Sequence, residues 1–379
     1  MSNIRVPFNK PYFTGQETKY IQNAFAYGKI SGNGYFTKKC QTFFEENYGI
    51  KKALLTSSCT DALEMAALLL NIVPGDEVII PSFTFVSTAN AFVLRGAKIV
   101  YCDSKSDHPG IDEFQIEELI TPKTKAIVPV HYAGVACDME KIMQIAVKHG
   151  LYVVEDAAQA IDSYFTFSDG TKKALGSIGH LATFSFHETK NIISGEGGLL
   201  AINETKFIDR AEIIWEKGTN RSAFFKGDVE KYEWVDLGSS FQPSEIIAAI
   251  LYAQIEELPN IQRRRQSIWM NYNDLFKNEK LNLPYIPTFA EFNYHIFYLI
   301  CESTEQRKMI IENLKLKGIL AVFHYQSLHK SPFAKSLQNN SKLKNAERYS
   351  NLLLRLPLYY ELKKEDQNEI HEIISNSLS

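Results

Sequence analysis

Lys190 stands in SFHETKN, Ser185–Asn191, where an apolar run gives way to polar residues and then to SGEGG, Ser194–Gly198. A lysine amine forms Schiff bases with carbonyl compounds once burial or a neighbouring charge lowers its pKa. Taken alone, such a lysine is far more often a solvated surface charge. Three other places change that weighing. TSSCTDAL, Thr56–Leu63, turns a strand into a helix N-terminus. Its backbone N–H groups and the Ser58 and Thr60 hydroxyls suit a phosphate, although Ser and Thr also cap helices with no ligand present. Asp156 follows LYVVE and ends an apolar strand, where a carboxylate needs a partner. A protonated ring nitrogen supplies one, and so does an arginine or a helix end. Gln159 lies three residues on and can reach the same place as a neutral donor. Phe85 in PSFTFVSTANA sits just past another strand, where an aromatic ring can stack on a planar ligand or simply join the core.

Together these features supply a phosphate cradle, an acid for a pyridinium, a stacking ring and an amine. That set matches pyridoxal 5'-phosphate, whose ring is an electron sink while its nitrogen stays protonated. A nicotinamide or nucleoside triphosphate site is poorly supported, because neither G-x-G-x-x-G nor G-x-x-x-x-G-K-[ST] follows the first strands. No cysteine pair has metal-ligand spacing, so no metal site is expected.

The elements that must position these residues read as an α/β chain. KALLT, EVIIP, KIVYCD, KAIVPV and LYVVED are strands. They alternate with the helical TDALEMAALLL, STANAFVLRG, DEFQIEELI and DMEKIMQIAVKHG. That alternation predicts a mostly parallel sheet covered on both faces. HLATFSF and GGLLAIN are strands too close together for a helical crossover; they can pair as neighbours or lie apart. From about residue 240 the pattern turns helical, through PSEIIAAILYAQIEEL and, past Pro259, NIQRRRQSIWMNYNDLF. Beyond it come a strand in YHIFYLIC, the helix TEQRKMIIENLKLKG, a strand AVFHY and two terminal helices. These predict a large domain over 1–250 and a small α+β domain over 251–379.

Composition bounds the partners. The 379 residues carry a net charge of −3, with 45% hydrophobic and 22% charged residues. Neither nucleic acid nor an anionic membrane finds a basic footprint here. No apolar run reaches the roughly 20 residues that span a bilayer, and MSNIRVPFNKPYFTG lacks the apolar core of a signal peptide. Five scattered cysteines fit reduced thiols in a cytoplasm.

The motifs TSSCTDAL, PSFTFVSTANA, VVEDAAQA, SFHETKN and GEGG resemble, in order and spacing, the sugar aminotransferases of the DegT/DnrJ/EryC1 type. The resemblance runs from VPFNKP through EKGTNR to FHYQSLH and LLRLPLYY. It implies the aspartate-aminotransferase fold (fold type I), with a seven-stranded mixed sheet and a small C-terminal domain. A homodimer with active sites shared across the interface is also implied. Lys190 would hold the cofactor and move protons, with His187 beside it, and pyridoxamine phosphate would carry the nitrogen between substrates. Asp156 would pair with the ring nitrogen, Gln159 would meet the phenolic oxygen, and Phe85 would stack. The phosphate would rest on Cys59 and Thr60 N–H groups and the Ser185 hydroxyl. Many members have glycine where this chain has Cys59. They often have an asparagine, given across the dimer, where GSSFQPSE offers Ser240 or Gln242. Lys217, Asn220 and Arg221 of KGTNR, and His324, would meet the nucleotide sugar.

The implied reaction moves nitrogen from L-glutamate to C4 of TDP-4-keto-6-deoxy-D-glucose. The product would be the galactose-configured 4-amine, for a lipopolysaccharide or O-antigen. Three enzymatic alternatives stand beside it: the glucose-configured epimer, amination at C3 of a TDP-3-keto sugar, and a sugar dehydratase on the same fold. The dehydratases that lack the Schiff-base lysine are ruled out by Lys190. From another class comes a non-catalytic regulator on this fold, since fold alone does not fix function.

Overall fold

The computed structural model describes residues 4–336 and 342–378. Residues 1–3, which open the N-terminal stretch read above, lie outside the described residues.

Among the described residues, nine strands precede residue 203. β1 (Lys52–Thr56), β2 (Glu77–Pro81), β3 (Lys98–Cys102), β4 (Thr124–Ile127) and β5 (Tyr152–Asp156) come first. β6 (Tyr164–Thr166) and β7 (Lys172–Ala174) form a small hairpin, and β8 (Leu181–Ser185) and β9 (Gly198–Ile202) follow. Seven of them make one sheet in the order β1-β9-β8-β5-β4-β2-β3. The pairs β2–β3, β2–β4, β4–β5 and β5–β8 are parallel. β9 runs antiparallel to both its neighbours, so the strands either side of the Lys190 segment are partners. Every residue of β2 and β9 is buried, which explains why β9 and, past Glu77, β2 read as apolar runs without polar alternation.

α1 (Glu17–Ala26) and α2 (Tyr35–Tyr48) precede the sheet, and α3 (Cys59–Leu69) and α4 (Val86–Val93) follow β1 and β2. DEFQIEELI makes one α-turn, Glu113–Ile116, and a 3₁₀ turn, Glu117–Leu119, in place of a longer helix. The path turns extended at Ile120, and Pro122 keeps Thr121, the residue before it, out of the helical region, so the helix does not resume. All five cysteines are free.

After the helix Glu245–Glu256, Pro259 sits in the first turn of Leu258–Phe276, where it removes no helical hydrogen bond. β10 (Ala290–Glu291) joins β6, while β11 (Tyr298–Ile300) pairs with β12 (Leu353–Arg355). The helices Thr304–Leu316 and Lys364–Leu378 pack with them around Trp269, Phe276, Phe297 and Ile310. Val6 joins this cluster and bridges to Ile319, so the first described residues lie on C-terminal elements. AVFHY is not a strand: only Val322 bridges, to Arg355, and the chain then peels away. That departure delivers His324 and Tyr325 to the C-terminal ends of the large sheet.

Candidate active site

β1 ends at Thr56, and the Ser57 N–H ties the turn to the Phe241 carbonyl at 2.9 Å. Ser58 caps α3: its backbone is extended, and its hydroxyl accepts the Asp61 N–H at 3.0 Å. The Ser58 hydroxyl is thus already engaged, as the ordinary capping role requires. The free donors are the N–H groups of Cys59 and Thr60, which meet no partner among the described residues. Thr60 Oγ1 lies 2.8 Å from Ser87 Oγ on α4. β9 passes so close that a Cβ on Gly198 would stand 2.4 Å from the Cys59 nitrogen, so only glycine fits there. The result is an electropositive helix end with two unclaimed donors, suited to an anion.

Asp156 closes β5, next to β8. It is buried, accepting Thr88 Oγ1–H at 2.7 Å and the Ala158 N–H at 3.1 Å. Burial raises its pKa against these two bonds, and no cation pairs with it among the described residues. A carboxylate buried this way fits a protonated ring nitrogen. One residue upstream, Glu155 faces the other way. It accepts N–H groups of Gly176, Ile178 and Gly179 and lies 3.0 Å from His131 Nε2. The Cys137 N–H reaches His131 Nδ1, so the ring proton sits on Nε2, toward Glu155. His131 also donates its backbone N–H to the Asp156 carbonyl. The strand end that presents Asp156 is therefore held from both sides.

Past Ser185 the chain turns, with the Lys190 N–H bonded to the His187 carbonyl at 2.9 Å. His187 Nδ1 accepts the Thr189 N–H and lies 2.9 Å from the Thr189 hydroxyl. Asn9 buttresses the turn at Glu188 O. Asn191 bonds to Gln262, to the Asn293 carbonyl and to His295. Lys190 lines the cavity, and its amine has no hydrogen-bond partner among the described residues. Burial holds this amine below the ordinary lysine range; Cys59 and Asp156 oppose that shift and Arg355 adds to it.

These groups meet in one cavity of about 420 Å³. Its walls include Ser58, Cys59, Thr60, Phe85, Asp156, Gln159, Ser185, His187, Lys190 and His324. Phe85 precedes α4 and is 54% exposed, leaving its ring open to the cavity rather than spent in the core. Gln159 accepts the Ala133 N–H at 2.7 Å and donates to Tyr325 OH at 2.8 Å, so its amide is locked in one orientation. His324 is stacked on Tyr325 at 3.6 Å and shares a 2.7 Å hydrogen bond with Tyr132. Burial, reinforced by Arg355 and Lys190, holds its ring neutral.

Five residues lie elsewhere on this chain. Gln242 donates to Glu216, which Ser240 also bridges. Lys217 takes positive φ, and Asn220 is bonded to Lys231 and Glu233. Arg221 lines a separate cavity, 3.7 Å from Glu216. In turn, the cavity walls contain Thr88, His295, Tyr325 and Arg355, which the motifs did not single out. Two signals were available. Thr88 is one helical turn past Phe85, and Arg355 is a lone charge inside the apolar run LLLRLPL.

The donor set fits pyridoxal phosphate: free N–H groups for the phosphate, a buried acid for the ring nitrogen, an amine beside both. The family model described as the DegT/DnrJ/EryC1/StrS aminotransferase family matches residues 11–375. The spore coat polysaccharide biosynthesis protein SpsC of Bacillus subtilis is 30% identical over 382 residues, covering 98% of this chain and 97% of its own. The putative sugar aminotransferase Spr1654 of Streptococcus pneumoniae, in its PMP form, superposes with a TM-score of 0.90 at 26% identity, covering 98% and 99% of the two chains. Its PLP form gives 0.89. Helicobacter pylori PseC, an aminotransferase of pseudoaminic acid biosynthesis, gives 0.89 at 25% identity over 98% of this chain and 99% of its own.

Proposed function

We propose that this chain, which belongs to the DegT/DnrJ/EryC1/StrS aminotransferase family, transfers the amino group of L-glutamate to C4 of TDP-4-keto-6-deoxy-D-glucose. The product is then TDP-4-amino-4,6-dideoxy-D-galactose. A pyridoxal-phosphate-dependent sugar aminotransferase is the class its family and structural neighbours define. The observation that carries the reading is the placement of Lys190 and Asp156. Asp156 ends β5 and Lys190 follows its neighbour β8, and both open into one cavity with the free N–H groups of α3.

Cys59 and Thr60 would hold the phosphate with the Ser185 hydroxyl, Asp156 the ring nitrogen, Phe85 one ring face, and Gln159 the phenolic oxygen. When bound, the cofactor supplies an aldehyde that condenses with amines and a ring that accepts the electron pair released at the reacting carbon. The remaining work belongs to the chain. Lys190 Nζ would hold the cofactor's aldehyde, and as a free amine would carry the proton between the cofactor carbon and the sugar carbon, a task its lowered pKa favours. His187, at the mouth, orients the segment that carries the lysine. Neutral His324, held by Tyr132, offers its other ring nitrogen to a sugar hydroxyl.

Ser240, Gln242, Lys217, Asn220 and Arg221 lie away from the cavity of their own chain. In a homodimer they reach the partner's cavity, with Gln242 or Ser240 at the phosphate and the rest at the nucleotide. Residues 1–250 then carry the cofactor and 251–379 close the substrate side. The likeness to SpsC supports a product destined for a surface polysaccharide, with lipopolysaccharide or O-antigen as its setting in a cytoplasmic pathway. No helix among the described residues is long and apolar enough to cross a membrane.

The deciding experiment is NMR of the product formed from TDP-4-keto-6-deoxyglucose and glutamate. Nitrogen on C4 with axial geometry is expected. The equatorial epimer, nitrogen on C3, or no amination defeats the assignment.

A further inference from the structure

Asn191, the residue after Lys190, has its side-chain amide fixed in one orientation. Its Nδ2 donates to Gln262 Oε1 and to the Asn293 carbonyl, each at 2.8 Å, so its Oδ1 is the atom that meets His295 Nδ1 at 2.7 Å. Gln262 is fixed in turn, because its own Nε2 donates to the Asp162 carboxylate at 3.3 Å. An amide oxygen only accepts, so His295 carries its proton on Nδ1 and leaves Nε2 as a bare acceptor. Arg265 donates to the His295 carbonyl and holds the backbone behind the ring. Burial, and then Lys190, Arg265 and Arg355, keep the ring from taking up a second proton.

His295 lines the cavity with Lys190, and its Nε2 meets no partner among the described residues. The polar groups around it are engaged or unable to accept. Arg355 only donates. Tyr325 OH already accepts the Gln159 amide, and Asp156 is held by Thr88 and Ala158. The bond through Asn191 tethers the imidazole to the turn that carries the lysine, so amine and acceptor keep their relation whatever else enters the cavity.

We propose that His295 is a positioning residue for Lys190, an inference that rests on the transaminase reading above. When the amine is free, it donates one N–H to His295 Nε2, which turns its lone pair toward the carbon that gives up a proton. The proton goes to Lys190 Nζ, and the imidazole stays neutral throughout. An amine on a flexible four-carbon stem visits that direction only part of the time, and one fixed hydrogen bond removes the freedom.

Two variants separate the acceptor from the tie to Asn191. His295→Asn keeps a donor where Nδ1 stood and removes the acceptor at Nε2. His295→Gln returns an amide oxygen near Nε2. Stopped-flow bleaching of the holoenzyme's visible band by L-glutamate, carrying hydrogen or deuterium at its α-carbon, reads the proton transfer. In His295→Asn the rate constant should fall at least about tenfold while cofactor affinity stays within about threefold of wild type, and the deuterium effect should grow. His295→Gln should be at least about threefold faster than His295→Asn. A smaller fall in His295→Asn overturns the proposal. So does a fall with an unchanged deuterium effect, or with no recovery in His295→Gln, since a merely structural role gives those results. Should a variant fail to take up cofactor, wild-type apoprotein decides by NMR, with its histidines labelled by the heavy nitrogen isotope. The His295 signals, assigned by their loss in either variant, should show a protonated Nδ1 and a bare Nε2; a proton on Nε2 overturns the proposal. A wild-type holoenzyme whose band ignores L-glutamate and every other L-amino acid defeats the transaminase reading itself. A band that bleaches equally fast in wild type and His295→Asn defeats only the role of His295.

Discussion

Thr88 Oγ1 lies 2.7 Å from Asp156 Oδ2 and donates to it, while Thr84 Oγ1 stands 2.9 Å behind Thr88. Since the Thr88 proton is engaged, the hydroxyl of Thr84 is the donor between the two. The relay holds Asp156 ionised against the burial that raises its pKa. Thr88→Val keeps the volume and removes the donor. A hydrogen bond to a charged group contributes about 1.5–3 kcal/mol, so cofactor affinity should fall roughly 10- to 100-fold. Fluorescence titration of apoprotein with pyridoxal phosphate measures this, and an unchanged affinity removes Thr88 from the account.

Lys190→Ala should fold and still take up cofactor, because Asp156 and the α3 N–H groups do not depend on the amine. Turnover should disappear, and borohydride should no longer fix the cofactor to the chain. Intact-mass spectrometry after reduction reads the second outcome directly. A reduced adduct in the variant assigns the attachment to another residue.

The lowered pKa of Lys190 has a signature in apoprotein stability. A lysine whose folded pKa lies below its unfolded value binds more protons unfolded than folded between the two. Stability from this group therefore rises with pH across that window and levels off above the unfolded pKa, near 10.4. Lys190→Met removes the penalty of burying a protonated amine. The variant apoprotein should melt higher than wild type at neutral pH, and the gap should narrow as pH approaches 10. Thermal melts of both apoproteins across that range test the sign; a gap that widens with pH contradicts it.

Much of the site was legible because strand ends carry their chemistry within a few residues. Asp156 follows an apolar run, and Ser58, Cys59 and Thr60 share one strand-to-helix turn, so local pattern sufficed. What escaped was set by contacts distant in sequence. Arg355 reaches the cavity only because β12 pairs with β11 while the chain peels away after Val322. AVFHY has the composition of a strand, yet His324 and Tyr325 are drawn toward Tyr132 and Gln159 instead of a neighbouring strand. The antiparallel seat of β9 was equally hidden: two apolar runs close in sequence carry no record of which neighbours they choose.

Gln242 and Arg221 offer a test of site sharing, because each faces Glu216 on its own chain rather than the cavity. If their work is done on a partner subunit, a Lys190→Ala chain retains sound copies of both residues for its partner. An Arg221→Ala/Gln242→Ala chain in turn retains a sound lysine. Each variant alone should be nearly inactive. A heterodimer then contains one site with intact parts from both chains and one with neither. With one sound site of two, the purified mixed dimer should show about half the activity of a wild-type dimer. Co-expression with two affinity tags, followed by tandem purification and assay, isolates the mixed dimer. Should that dimer stay as inactive as its parents while wild-type dimers purified alike are active, Gln242 and Arg221 do not serve the partner's cavity.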